Sequence, residues 1–258
     1  MTQPQIVNRF KGKTVAITGG AGDIGGIITL AFVREGANVS IGDINLDRAK
    51  KVSEDVCSTG PGSAEAFWLD VTNLDSIHAW IGKTVEKFGG LDILVNTAAL
   101  MPPVKSSLEI TEEDWDKTHA TNLKGVFFCT QSAIAQMKKQ GRGGRIVSIA
   151  AIDAKCGVPR ISFYSSSKAG VVNLTQALAV EFAKDAITVN CVCPGWVKTE
   201  GVLRSTDWNW REGVKRIPLG RMAEPSEVAD LILYLASDSA GAIIGESVNI
   251  DCGEWAGI

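Results

Sequence analysis

Thr14-Val15-Ala16-Ile17-Thr18-Gly19-Gly20-Ala21-Gly22-Asp23-Ile24-Gly25-Gly26 decides how the rest of the chain is read. A β-branched run over 14–18 passes through a glycine turn into a helical pattern near 24–35. Glycines at such a junction let the backbone turn tightly and approach a pyrophosphate, which then lies at a helix N-terminus. A glycine turn alone also serves as a plain connection; its place between a strand and a helix is what points to a nucleotide. Working outward, further strands read at 38–41, 66–69, 92–95, 145–149, 187–192 and 247–250. Helical stretches near 46–57, 74–88, 122–139, 163–183 and 226–236 separate them. Apolar strands spaced by helices predict one α/β domain over 1–258, a doubly wound, mostly parallel sheet of about seven strands flanked by helices. Ligands of such sheets bind beyond the carboxyl ends of the strands, so the residues after each strand are the ones to inspect.

Composition narrows the function classes. The chain has 258 residues, 45% hydrophobic and 21% charged, which fits a packed chain and excludes a disordered one. A formal charge of -3 argues against binding nucleic acid through phosphates. No apolar run is long enough to cross a bilayer, and residues 1–10 lack the apolar core of a signal peptide. Cysteines 57, 129, 156, 191, 193 and 252 include no Cys-x-x-Cys, and His78 and His119 sit near none of them. This spacing argues against a disulfide framework or a metal site and for a reducing cytoplasm. The expected partner is a small molecule, with no nucleic acid and no membrane.

Asp43 follows the second strand, 18 residues after Gly25. A carboxylate there accepts hydrogen bonds from an adenosine ribose and repels a 2′-phosphate; with no Arg or Lys in the glycine turn, or beside Asp43 until Arg48, the local charge favours NAD over NADP. The competing reading is that Asp43 only caps the next helix. Asp70-Val71 and Asn96-Thr97-Ala98-Ala99 fall on the same edge, offering a carboxylate for adenine and small residues that leave room for ribose. The arrangement is Rossmann-type.

Tyr164-Ser165-Ser166-Ser167-Lys168 sets a phenol and an ammonium four apart at the start of a helix, hence on one face. A free phenol ionises near pH 10, too high for a base at neutral pH, and a neighbouring ammonium favours the phenolate. Taken alone the pair is also compatible with a solvated surface.

In this order, with Pro194-Gly195-Trp196-Val197-Lys198-Thr199, then Gly220-Arg221, Pro225, Glu227, Gly245, Asp251 and Gly253, the motifs resemble the short-chain dehydrogenase/reductase family from about residue 10 to residue 253. The resemblance implies a nicotinamide-dependent oxidoreductase with NAD as cofactor. It makes Tyr164 the general acid/base, Lys168 the holder of the nicotinamide ribose, and Asn122 the keeper of a water-linked proton path. Gly19, Asp23, Ile24, Gly25, Asp43, Ile44, Asp70, Val71, Asn96 and Ala98 become dinucleotide contacts, with Val197 and Thr199 at the carboxamide. It also implies a substrate lid over 195–217 and a homo-oligomer, a tetramer or dimer, formed through the helices that start at 122 and carry Tyr164. Trp255 would reach a neighbouring subunit's pocket.

The chain departs from the family in a few places. The serine expected 13 residues before the tyrosine is Ala151. That hydroxyl donates to the reacting oxygen, and loss of one such donor costs about 10²–10³ in rate. Asp153 is a substitute if the segment is extended, because it then faces the same side as Ala151. Alternatively Ala151 enlarges the pocket, or the chain binds nucleotide with little turnover. Ser148 lies at an odd offset and points away. Asp23 replaces a glycine of the turn, so its carboxylate must point away from a pyrophosphate. Thr97 stands where the family has Asn, and Cys252, replacing a glycine, reads as a small buried residue.

On the substrate side the lid holds Trp196, Trp208, Trp210, Lys198, Arg204, Arg211, Lys215 and Arg216, with Lys155 and Arg160 nearby. Aromatic faces suit ring carbons and Arg suits an anion, so a sugar-like or ring hydroxyl compound, neutral or anionic, is expected at Ala151, Asp153, Trp196, Arg204 and Arg211. A solvated basic loop is the bland alternative. Residues 100–104 form another wall, and Trp68 and Trp80 belong to the core or nucleotide-side packing. The leading expectation is an NAD-linked dehydrogenase acting on a secondary or cyclic alcohol, hemiacetal or ketone. The other class is a nucleotide binder with weak or lost catalysis. A methyltransferase shares the glycine turn but gives Tyr164 and Lys168 no role.

Overall fold

A computed structural model describes residues 8–206 and 209–257. Residues 1–7, Ile258, and Asp207 and Trp208 of the expected lid lie outside the described residues.

Seven strands form one parallel sheet: β1 (Thr14–Thr18), β2 (Asn38–Asp43), β3 (Ser63–Trp68), β4 (Ile93–Asn96), β5 (Gly144–Ile149), β6 (Ile187–Pro194) and β7 (Ser247–Ile250). Their spatial order is β3-β2-β1-β4-β5-β6-β7. Every ladder is parallel. The order reverses between β1 and β4, and the crevice beyond their carboxyl ends is the ligand position of this architecture. All of β1 and β6 is buried, as expected of strands covered on both faces; the one side-chain amide in β6, Asn190, donates to Ile243 O and accepts from Glu246 N.

One face is covered by α1 (Asp23–Arg34), α2 (Leu46–Cys57) and α9 (Pro225–Ala236), which pack Ile28, Phe32, Val56, Val228 and Ile232 against Val15, Ile17 and Val39. On the other, α3 (Leu74–Phe88), α5 (Val126–Gln140) and α6 (Ser162–Phe182) bring Trp80, Met137 and Leu178 onto Ala16, Leu94 and Val189. Trp80 is core, and its indole Nε1 donates to Ser40 Oγ at 2.9 Å. Gly42 is required beneath it, because a Cβ there would lie 2.7 Å from the Trp80 ring. Asp92 fixes the entry to β1, accepting from Thr14 N at 2.8 Å and from Arg142 Nε at 2.9 Å.

Three expectations change. The helix expected from residue 122 begins ten residues earlier, as α4 (Glu112–His119) followed by a π-helical turn, Ala120–Gly125, that leads into α5. Thr111 starts it through a reciprocal cap with Asp114. β3 begins at Ser63, and Trp68 at its end is 51% exposed beside Asp43, outside the core. Among its described residues the segment expected as a lid, 195–217, holds two short helices, α7 (Glu200–Arg204) and α8 (Trp210–Val214).

Candidate active site

The turn after β1 is shaped to receive a phosphate. Gly19 has φ +62°, and a Cβ there would lie 2.8 Å from Ala98 Cα. At Gly25 a Cβ would fall 2.1 Å from Gly19 O, so neither position tolerates a side chain. Thr29 Oγ1 donates to Gly20 O and braces the turn from below. The α1 N-cap, Gly22, provides no side-chain cap, which leaves the first-turn amides of Asp23, Ile24 and Gly25 for an anion. Asp43 accepts from Ala21 N at 3.1 Å and Asn45 N at 2.9 Å. Asn45, not Asp43, caps α2. A carboxylate accepts at about four sites, so two remain on Asp43 for ribose hydroxyls. These features fit a dinucleotide. Ile44 lies exposed just beyond. Asp70 turns one oxygen to Thr72 N and Oγ1, and Val71 packs under Gly125.

Two other positions point elsewhere. The Asn96 amide donates to Thr130 Oγ1 and Ser148 Oγ inside the protein, both at 3.1 Å. Its side chain is therefore turned from the cleft, and Ser148 is spent in the same bond. Thr97 instead ties its hydroxyl to Thr18 O, while Ala98 N donates to Thr18 Oγ1 at 3.2 Å. Asp23 points away from the turn, to Arg48 Nη2 at 2.8 Å and Gly201 N at 3.1 Å.

Tyr164 and Lys168 occupy the first turns of α6 and are both buried, not solvated. The ammonium sits 5.8 Å from the phenol ring centroid and donates to Ile149 O at 2.9 Å. Asn122 is carried by the π-helical turn, a geometry that recurs at functional sites. Its Oδ1 accepts from Leu100 N at 2.7 Å, and its Nδ2 donates to Leu100 O at 3.0 Å and Ser167 Oγ at 3.4 Å. It thereby joins the segment after β4 to the helix of Tyr164. Ala151 packs against Tyr164 with a methyl group where a hydroxyl would serve.

The electrostatics differ from expectation. Burial, and then the Asp153 charge, push the Tyr164 phenol up rather than down in the free protein. Burial lowers Lys168 to about 8, partly offset by Cys193 and Cys191. Asp153 lies in a 3-10 turn, Ile152–Ala154, so the strand alternation that placed it beside Ala151 does not hold. Its charge nevertheless reaches Tyr164, and burial raises its own carboxyl to about 6.

Glu254 is the residue that sequence reading missed. Asp251 accepts from Gly253 N and Trp255 N, folding the tail after β7 so that Glu254 meets Gly195. Burial and the charges of Asp153 and Asp251 raise its carboxyl, while a hydrogen bond from Trp196 opposes them. Its position just beyond a strand end was the available signal. In the same tail Cys252 is half-buried with φ +56°, a left-handed conformation that explains a glycine there better than burial does.

The basic lid residues stand apart. Arg204 pairs with Glu200 at 2.8 Å and is 79% exposed, and the Arg211 guanidinium lies over Trp210 at 4.4 Å. Lys155 is committed to Ser247 O and Asn249 Oδ1, both at 2.6 Å. Trp196 packs on Gly213 and bonds Glu254, so it is the lid residue brought to the carboxylates. Thr199 accepts from Val202 N and caps α7, and Val197 bridges to Ala223. A cleft of about 630 Å³ separates Met101–Pro103 from α7, with Arg204 at its rim.

A family model described as enoyl-(acyl carrier protein) reductase matches residues 19–254. The chain is 40% identical over 248 residues to a 3-oxoacyl-(acyl-carrier-protein) reductase FabG of Thermotoga maritima, covering 95% of this chain and 98% of that one. It is 35% identical to a sorbitol dehydrogenase of Cereibacter sphaeroides, covering 96% and 99%. A short-chain type dehydrogenase/reductase from Mycobacterium marinum superposes with a TM-score of 0.90 at 35% identity, covering 96% of this chain and 97% of that one.

Proposed function

The chain belongs to the short-chain dehydrogenase/reductase family of oxidoreductases, and from that premise we propose that it is an NAD-linked dehydrogenase of a neutral, hydroxyl-rich substrate such as a polyol or sugar. The observation that carries this reading is the buried Tyr164–Lys168 pair, coupled through Asn122 to the loop after β4, on the sheet edge that holds the glycine turn. When bound, NAD takes or gives the hydride; orientation and charge control fall to the protein.

Tyr164 exchanges a proton with the substrate oxygen. With its phenol pushed up it is protonated in the free protein, ready to act as an acid toward a carbonyl. Oxidation of an alcohol requires the phenolate. Positive charge stabilises that form; Lys168, 5.8 Å from the ring, supplies it, and an oxidised nicotinamide would add to it. Ala151 offers no donor to the reacting oxygen. A carboxyl raised to about 6 is mostly ionised at neutral pH, so Asp153 is our candidate donor in its place only through its protonated fraction, which grows as pH falls.

The two free acceptor positions on Asp43 favour NAD, and Arg48 is held by Asp23 rather than offered to a 2′-phosphate. The Asp153 charge that reaches the phenol, with Glu254 coupled to it, disfavours an anionic substrate and suits hydroxyl donors, in line with the likeness to a sorbitol dehydrogenase. 3-Oxoacyl thioesters, suggested by the other relative, are the control substrates. We also read the protein as a homotetramer or dimer built through α5 and α6, and as cytoplasmic. On the outer side of α6, Val180 is 81% exposed, and no helix among the described residues is long and apolar enough to cross a membrane. The test is a screen of NAD reduction over polyols, sugars and cyclic alcohols beside NADH oxidation with 3-oxoacyl thioesters. Turnover of a hydroxyl compound supports the proposal. NADH binding without turnover would replace it with the binding-only reading.

A further inference from the structure

Asp23 puts a carboxylate on the first residue of α1, inside the turn whose amides face an anion. A bare negative charge there would oppose a phosphate, and more strongly in a protein than in bulk water. The side chain is instead shared between two other elements. Oδ1 is 2.8 Å from Arg48 Nη2, on the first turn of α2. Oδ2 accepts from Gly201 N at 3.1 Å, in the first turn of α7, 178 residues away in the chain. Gly201 N is one of the helix-start donors that lack an intrahelical acceptor, and the cap from Thr199 serves Val202 instead. A Cβ on Gly201 would lie 3.6 Å from the same Asp23 oxygen, so the carboxylate packs directly against the start of α7. α7 is also the wall of the 630 Å³ cleft opposite Met101–Pro103.

We infer that Asp23 is a positioning residue that latches the lid helix α7 to the phosphate-binding turn, with Arg48 neutralising the carboxylate so that the latch does not repel a pyrophosphate. A dinucleotide seated at the turn then leaves only after the Gly201–Asp23 bond opens. The last step rests on the functional reading above; the tie between lid and turn does not.

Two measurements test it on the full-length protein. Hydrogen exchange over residues 199–206 is followed without nucleotide in wild type, Asp23→Ala, Asp23→Asn and Arg48→Gln. NADH dissociation is followed by stopped-flow fluorescence in the same four proteins. The latch predicts that Asp23→Ala speeds exchange at Gly201 and NADH release by about tenfold or more, the scale of losing a hydrogen bond to a charged group. Asp23→Asn, whose amide oxygen still accepts from Gly201 N, keeps most of the exchange protection. Arg48→Gln keeps the protection but weakens NADH, because the carboxylate is left unneutralised. Unchanged exchange at Gly201 in Asp23→Ala, or tighter NADH in both Asp23 variants, overturns the latch. Failure of the wild type to bind NADH would contradict the functional reading, and the exchange result would still decide the lid contact.

Discussion

At the scale of single residues, the free site holds its proton on Tyr164 and loosens the one on Lys168, both by burial. Asp153 adds a titration with a sign that can be worked out. Its carboxyl is raised from 3.8 to about 6 in the folded chain, so the folded state binds the proton more tightly than the unfolded state. The stability this contributes is complete below the unfolded value and is lost as pH rises through about 6. Asp153→Asn keeps an uncharged side chain at every pH. We expect the variant to match wild type near pH 4 in denaturant unfolding and to exceed it at pH 8 by at most about 3 kcal/mol. An equal gap at both pH values would contradict the burial argument. Residue identity was legible where a motif fixed it, as for Tyr164, Lys168 and Gly19. It was not legible for Asn96, whose side chain turns inward to Ser148, or for Glu254, which meets Gly195 only because Asp251 folds the tail.

At the scale of elements, the π-helical turn between α4 and α5 sets the height of Asn122, whose side chain takes both backbone groups of Leu100. Asn122→Ala leaves that N–H and carbonyl unpaired, at about 1–3 kcal/mol for each group kept from water. The expected result is lower stability together with a kcat loss larger than any change in KM for NAD. A variant with unchanged kcat would separate the turn from catalysis. α4 escaped the sequence reading because Glu112-Glu113-Asp114-Trp115-Asp116 carries almost no apolar stripe, although Thr111 and Asp114 already spelled a helix start. β3 was placed late for the same reason, since Ser63 and Glu65 hide a strand whose register with β2 comes from pairing. The inner strands were legible because burial on both faces leaves mostly apolar and β-branched residues, as in Thr14–Thr18 and residues 93–95.

For the whole molecule, one edge of one sheet gathers the glycine turn after β1, Asp43 at the end of β2, the segment of α7 and α8 after β6 and Glu254 after β7, with α6 bringing in Tyr164. The switch in strand order between β1 and β4 opens the crevice they share. The proposed assembly is the property furthest from the sequence, since the reading puts it on the outer sides of α5 and α6. Light scattering is expected to give the mass of four, or of two, 27.4 kDa chains, and a single-chain mass would refute the assembly reading. The account as a whole stands on the proton carried by Tyr164. The most direct measurement is the rate of NADH formation from an accepted polyol by wild type and Tyr164→Phe, with NADH binding monitored by fluorescence in both. The predicted result is a loss of about 10²–10⁴-fold in rate with NADH affinity retained. A Phe variant that binds NADH and turns over at the wild-type rate would contradict it.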